Sequence, residues 1–255
     1  MAADKGVLLI FDLVSTLTDA GPRYVQAFID VTEKTGHGTP DAGEVLFMLG
    51  NKTLSEITDR FAGGMDAEGK KKFMAECNEA CDILLKKPGW QENLFPHVRE
   101  AIETMHLRGI SLGIYTGTRE DAMGAQLKYH GIEPLFDPRY LRGKNNERDA
   151  GKKNDVLKGE QLQSIMAEFR KEHAGSTAPV IVIGDSEADA QAAAREGLLF
   201  IGFAPTDKKK AELQKAGVKA IVTDFGDVPD LIDRLVRPPA NDIAPKPGIG
   251  RQFQP

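Results

Sequence analysis

Short apolar runs alternate with longer amphipathic stretches along most of the chain. The run Val7-Leu8-Leu9-Ile10-Phe11 is unbroken, β-rich and stops at Asp12. That is the pattern of a parallel strand buried on both faces that delivers a side chain at its carboxyl end. Similar runs at residues 110–115, 180–183, 198–203 and 220–223 predict further short strands. Between them, apolar residues at helical spacing predict helices over 98–108, 119–130, 159–173, 187–196, 208–216 and 228–236. Strand and helix in alternation give an α/β protein: a Rossmann-like, three-layer α/β/α core around a parallel sheet, with right-handed crossovers covering both faces.

The first two predicted strands are separated by roughly ninety residues, too many for a simple connection. Helical spacing recurs there at 24–35, 42–49, 54–61 and 67–85, with turn signals at Gly36-His37-Gly38 and Gly63-Gly64. The expected organisation is a core of residues 1–19 and 91–236, an inserted α-helical cap over 20–90, and a proline-rich tail. The tail, 237–255, holds five prolines and two glycines and shows no period.

Composition narrows the class. With 41% hydrophobic and 28% charged residues and a net charge of -5, the chain reads as a soluble, cytoplasmic globular protein. Its apolar runs fall short of the ~20 residues of a membrane helix, and no secretory signal is read at its start. Excess acid argues against binding nucleic acid by neutralising phosphates. Lys70-Lys71-Lys72 and Lys208-Lys209-Lys210 read as solvated helix faces. Cys77 and Cys81 lie four apart, with no second pair to complete a zinc site, and read as buried thiols.

The chemistry sits at the strand ends. In open α/β sheets ligands bind beyond the carboxyl ends of the strands, so Asp12, Thr116 and Asp185 should converge. Carboxylates with a backbone carbonyl and waters suit Mg²⁺. Asp12 would be both metal ligand and nucleophile, since a carboxylate can attack phosphorus and split one displacement into two. The hydroxyl of Thr116, with the backbone amides of Gly117 and Thr118 at the start of the next helix, suits a phosphate oxygen. Asp189 lies one helical turn beyond Asp185 and can face the same site.

The segment Phe11-Asp12-Leu13-Val14-Ser15-Thr16-Leu17 resembles the first motif of the haloacid dehalogenase superfamily, commonly DxDGTL. Thr116 in Ile114-Tyr115-Thr116-Gly117-Thr118 matches the second motif, and Gly184-Asp185-Ser186-Glu187-Ala188-Asp189 matches the fourth, GDxxxD. The chain is therefore identified as resembling phosphoglycolate phosphatase-like or phosphonatase-like members with a helical cap. The resemblance implies a Mg²⁺-dependent phosphatase of small phosphorylated metabolites. It implies metal ligation by Asp12, the Val14 carbonyl and Asp185, with Asp189 in support through water or lysine. It also implies a lysine paired with the nucleophile, for which Lys158 is chosen over Lys144, Lys152 and Lys153.

One departure bears on the reaction. The family's phosphatases carry a second aspartate two residues after the nucleophile, where this chain has Val14, and Ser15 replaces the following glycine. The missing acid normally protonates the leaving oxygen and later activates water. Phosphonoacetaldehyde hydrolases naturally lack it and use a cap lysine as a Schiff base to cleave a carbon-phosphorus bond. Lys52, in a loop similar to the substrate loop of such caps, would be that amine or a contact for the substrate anion. A binding protein that keeps the pocket without turnover is the third reading.

Overall fold

The computed structural model describes residues 6–51, 54–87, 90–145, 147–149, 152, 154–174 and 179–236. The predicted tail and Lys52 lie outside the described residues. Six strands form one parallel sheet: β1 (Leu8–Phe11), β4 (Ser111–Arg119), β5 (Leu141–Lys144), β6 (Val180–Gly184), β7 (Leu199–Phe203) and β8 (Ala220–Val222). Their order is β5-β4-β1-β6-β7-β8, which puts β1 at the centre.

Alternation of side chains along a strand explains the layers. Leu9 and Phe11 of β1 join one apolar cluster with residues of α5 (Val98–Leu107), α6 (Glu120–Tyr129) and α10 (Val228–Val236). Leu8 and Ile10 face the other cluster, with Leu162, Ile165 and Phe169 of α7 (Asn154–Glu172) and Ala192 and Ala193 of α8 (Glu187–Arg195). All four β1 side chains are fully buried, as the unbroken apolar run requires. The α/β reading and its three layers hold, with α9 (Asp207–Lys215) between β7 and β8.

Two differences are informative. Edge strand β5 was not predicted, because Leu-Arg-Gly-Lys is short, carries two cations and lacks an apolar run. A two-residue antiparallel pair, β2 (Thr18–Asp19) with β3 (Asn93–Leu94), also escaped prediction. It ties the two chain crossings of the insert together.

Between β2 and β3 lie four helices: α1 (Gly21–Lys34), α2 (Ala42–Asn51), α3 (Leu54–Phe61) and α4 (Ala67–Lys86). They enclose an apolar cluster of their own, with Val25, Phe28, Val31, Val45, Ile57 and Phe73. Cys77 and Cys81 are buried and unpaired. Burial pushes the Cys77 thiol up to about 12 and the Cys81 thiol up to about 11, so both are held as inert thiols. No helix among the described residues is long and apolar enough to cross a membrane.

Candidate active site

Register brings the site together. Phe11 lies opposite Ile114 of β4 and Ile183 of β6, so Asp12 and Asp185, just past β1 and β6, lie at about the level of Thr116 in β4. The Asp12 amide continues the ladder by donating to the Ile183 carbonyl at 2.9 Å. Beyond it the chain turns at once. Ser15 donates its backbone N–H to the Thr18 carbonyl at 2.8 Å and adopts φ +63°. That left-handed conformation favours glycine, which accounts physically for the glycine in the common form of the motif.

Carboxylate oxygens of Asp12, Asp185 and Asp189 lie within 4.8 Å of one another, and all three side chains are buried. Lys158 reaches in from α7, with its Nζ 3.2 Å from Asp12 Oδ1 and 2.7 Å from Asp189 Oδ1. Of the four candidate lysines it alone, among the described residues, contacts the nucleophile candidate. Lys152 is paired with Asp149 and Glu160, Lys144 lines the cavity without contacting Asp12, and Lys153 lies outside the described residues. Lys158 is the fifth residue of α7 rather than its opening, because that helix begins at Asn154.

Asp189 is saturated by protein donors. Besides Lys158, the Tyr115 hydroxyl donates to its Oδ1 at 2.6 Å, and Ser186 donates from its backbone N–H at 3.0 Å and its hydroxyl at 2.5 Å. Ser186 and Asp189 form a capping box at the start of α8. There is no room to spare beside this carboxylate: a Cβ on Gly184 would stand 2.6 Å from Asp189 Cγ. The glycine of the GDxxxD segment is therefore required by close approach, and both Asp189 oxygens are already engaged by protein donors. Asp12 is paired through Oδ1 alone, while Asp185 takes Lys209 on Oδ2 and a long contact of 3.5 Å from the Thr16 hydroxyl on Oδ1.

The charges do not balance. Burial pushes the Asp12 carboxyl well up; Lys158 offsets this only in part, and Asp189 and Asp185 add to it. Burial also raises Asp185, against the pull of Lys209 3.0 Å from its Oδ2. Asp189 stays below the usual carboxylate range despite burial, because Lys158, Ser186 and Tyr115 all stabilise its charge. Two lysines thus face three carboxylates, and Asp12 and Asp185 are the two whose charged forms burial disfavours in the absence of a further cation. An all-oxygen donor set with uncompensated negative charge fits a hard divalent cation such as Mg²⁺. Lys209 corrects the reading of the 208–210 run as a solvated face, since its middle lysine reaches into the site.

Thr116 is buried, and its Oγ1 accepts from the Thr118 backbone N–H at 3.2 Å, which leaves its O–H free to donate. Gln161 of α7 holds the Thr116 carbonyl at 2.9 Å. Gly117 and Thr118 lie within β4, which runs to Arg119, and not at the start of a helix, because α6 begins only at Glu120. The Thr118 amide is thus engaged by the Thr116 hydroxyl within the strand. Sequence reasoning missed Tyr115, Ser186, Gln161 and Lys209; of these only Ser186 carried a readable signal, as the first member of a capping box.

These side chains floor a cavity of about 920 Å³. Its walls include Val14 and Ser15, residues from the ends of α1 and α4, and one face of α6. Val14 is half-buried and packs on the core cluster at the position where the motif commonly carries its second aspartate.

Replacing Lys158 with methionine should cost about 3–5 kcal/mol of stability, since it strands two buried carboxylates. Urea unfolding measures this, and a loss below about 1 kcal/mol would contradict the pairing.

A parallel α/β sheet that gathers an aspartate, a threonine, a lysine and a GD-type acidic loop at its carboxyl end defines a haloacid dehalogenase-type hydrolase. The chain belongs to that family: the model of the haloacid dehalogenase-like hydrolases matches residues 8–197. It is similar to a phosphoglycolate phosphatase of Vibrio parahaemolyticus, 22% identical over 205 residues that span 77% of this chain and 82% of that protein. It is also similar to the tyrosine-protein kinase PtkA of Mycobacterium tuberculosis, 23% identical over 75% of this chain, which spans 60% of that protein's length. Among solved structures, a candidate phosphatase from Clostridium difficile shares the fold with a TM-score of 0.66 and 18% identity, over 88% of this chain and 97% of that one.

Proposed function

We propose that this chain is a Mg²⁺-dependent phosphatase of small phosphorylated metabolites, working through an aspartyl-phosphate on Asp12. The observation that carries the reading is the gathering of Asp12, Asp185 and Asp189 within 4.8 Å on the floor of an open cavity. Asp12, Asp185 and the Val14 main-chain carbonyl would hold the metal, which offsets the repulsion between a carboxylate and an incoming phosphate. Helices 20–90 act as a cap that excludes water from the closed site.

The protein's own groups divide the remaining work. Thr116 donates its hydroxyl to a phosphate oxygen, and Lys158 neutralises another while favouring the ionised form of Asp12 against the effect of burial. An Asp12 carboxylate oxygen then forms a bond to phosphorus as the bond to the ester oxygen breaks. Asp189, with Tyr115 and Ser186, fixes Lys158 in place. Water next attacks the acyl phosphate, releasing inorganic phosphate and restoring Asp12. Because Val14 offers no proton, the leaving oxygen departs unassisted in the first step. Esters of acidic alcohols should therefore turn over fastest.

A panel of phosphate esters assayed with Mg²⁺ and with excess chelator tests this. Hydrolysis that requires the metal and is faster for p-nitrophenyl phosphate than for alkyl phosphates is expected. Hydrolysis indifferent to chelation would refute the metal assignment.

A further inference from the structure

The cavity carries cations that its acidic floor does not use. Away from the floor, its charged lining is Arg23, Asp82, Lys87, Arg119, Asp121 and Lys144. The two arginines are taken. Arg23 is buried with its Nε 2.8 Å from Glu92 Oε1, and Arg119 holds Asp121 with its Nε 2.9 Å from Oδ1. Asp82 is exposed to solvent, where its charge is screened. Lys87 and Lys144 pair with no acid among the described residues.

These two lysines come from different parts of the molecule. Lys87 is the C-cap of α4 and reaches the cavity from the helical insert. Lys144 is the last residue of β5 and reaches it from the sheet. The backbone at Lys144 is firmly placed: Gly143 is buried against the start of α6, where a Cβ would stand 2.7 Å from the Glu120 nitrogen. In the parallel register Lys144 lies opposite Arg119, three residues past Thr116. Its backbone therefore stands up to roughly 10 Å beyond the level of Thr116 along the strand direction. A phosphate on the floor is already served by Thr116 and Lys158, so Lys87 and Lys144 are left for a second anion further up the cavity.

We propose that Lys87 and Lys144 form a subsite for a second phosphate, so that the substrate is a bis-phosphorylated metabolite with its phosphates at opposite ends of the carbon chain. The assignment rests on the phosphatase reading of the floor. Planar, two-pronged recognition of a carboxylate is the work of a guanidinium, and both arginines here are engaged by acids. An ammonium is a point charge with three donors, and two of them can approach a tetrahedral phosphate from different sides. The second phosphate also bears on closure. As the cap moves toward the core it brings Lys87 and Lys144 together, and an anion bound by both turns their repulsion into attraction. A cavity of about 920 Å³ has room for a six-carbon chain with a phosphate at each end.

Two measurements separate the subsite from the floor. In the first, kcat/KM at saturating Mg²⁺ is compared for fructose-1,6-bisphosphate, fructose-6-phosphate, phosphoglycolate and p-nitrophenyl phosphate, in the wild type, Lys87→Met and Lys144→Met. The two sugar esters differ only in the second phosphate. The bisphosphate should exceed both fructose-6-phosphate and phosphoglycolate by about tenfold or more, and each variant should lower it about tenfold further than p-nitrophenyl phosphate. Equal rates for the two sugar esters, a preference for phosphoglycolate, or an equal fall for every ester would overturn the proposal. In the second, calorimetry measures fructose-1,6-bisphosphate binding to Asp12→Asn with and without Lys144→Met. A loss of about tenfold supports the subsite even if no ester is hydrolysed, an outcome that would sink only the phosphatase reading. Equal binding by the two variants, or none by either, counts against the subsite.

Discussion

Asp12→Asn should abolish ester hydrolysis, lowering kcat by about 10⁴-fold or more while leaving the protein as stable as before or more so. The first effect follows from chemistry: a neutral amide cannot attack phosphorus, and loss of a nucleophile removes the whole covalent route. The second follows from electrostatics. Asp12 is buried beside two other acids, and its carboxyl is pushed well up because burial outweighs the help of Lys158. Its ionised form is therefore costly in the folded protein without metal, and a neutral isostere removes that cost. A steady-state assay with a thermal melt reads both effects. A variant with near-native turnover would exclude Asp12 as the attacking group. One that is inactive because it is unfolded would contradict the charge argument instead.

Val14→Asp should raise turnover of alkyl phosphates by about 10²–10⁴-fold, the usual worth of general acid-base assistance. The gain should be much smaller for p-nitrophenyl phosphate, whose leaving oxygen needs no proton. The same change adds a fourth carboxylate to a cluster that two lysines already fail to neutralise, so a stability loss of about 1–3 kcal/mol is expected. Added Mg²⁺ should recover part of it. Activity that falls for every ester would mean that the pocket is shaped for other chemistry, such as carbon-phosphorus cleavage, or for binding alone. Val14 lines the cavity and also packs against the core cluster that includes Leu13 and Leu17. The apolar residue is thus built into the fold, and a modest repacking cost accompanies the substitution.

The central strand and the order of strands and helices could be read from the chain because burial on both faces demands unbroken apolar runs such as Val7 to Phe11. Asp12, Thr116 and Asp185 were legible for the same reason: each ends such a run, and parallel pairing then forces the three ends to one edge. Lys158 was harder. Four lysines compete in that region, and only the packing of α7 on the Leu8 and Ile10 face decides which one reaches Asp12. Lys209 was misread, because a run of three lysines looks uniformly solvated. The helix turns its middle member inward to a partner 24 residues earlier in sequence. Tyr115 was invisible as a site residue. Strand alternation assigns it to the face opposite Thr116, and only its length lets the hydroxyl reach Asp189.

The most direct test of the account is to catch the covalent species. The protein would be mixed with Mg²⁺ and excess p-nitrophenyl phosphate, quenched in acid during turnover, and digested for mass spectrometry. With no acid at position 14 to activate water, the acyl phosphate should persist, and a phosphoryl group should be found on the peptide carrying Asp12 and on no other. Full turnover with that peptide unmodified, or with the label on a different residue, would contradict the claim that Asp12 attacks phosphorus.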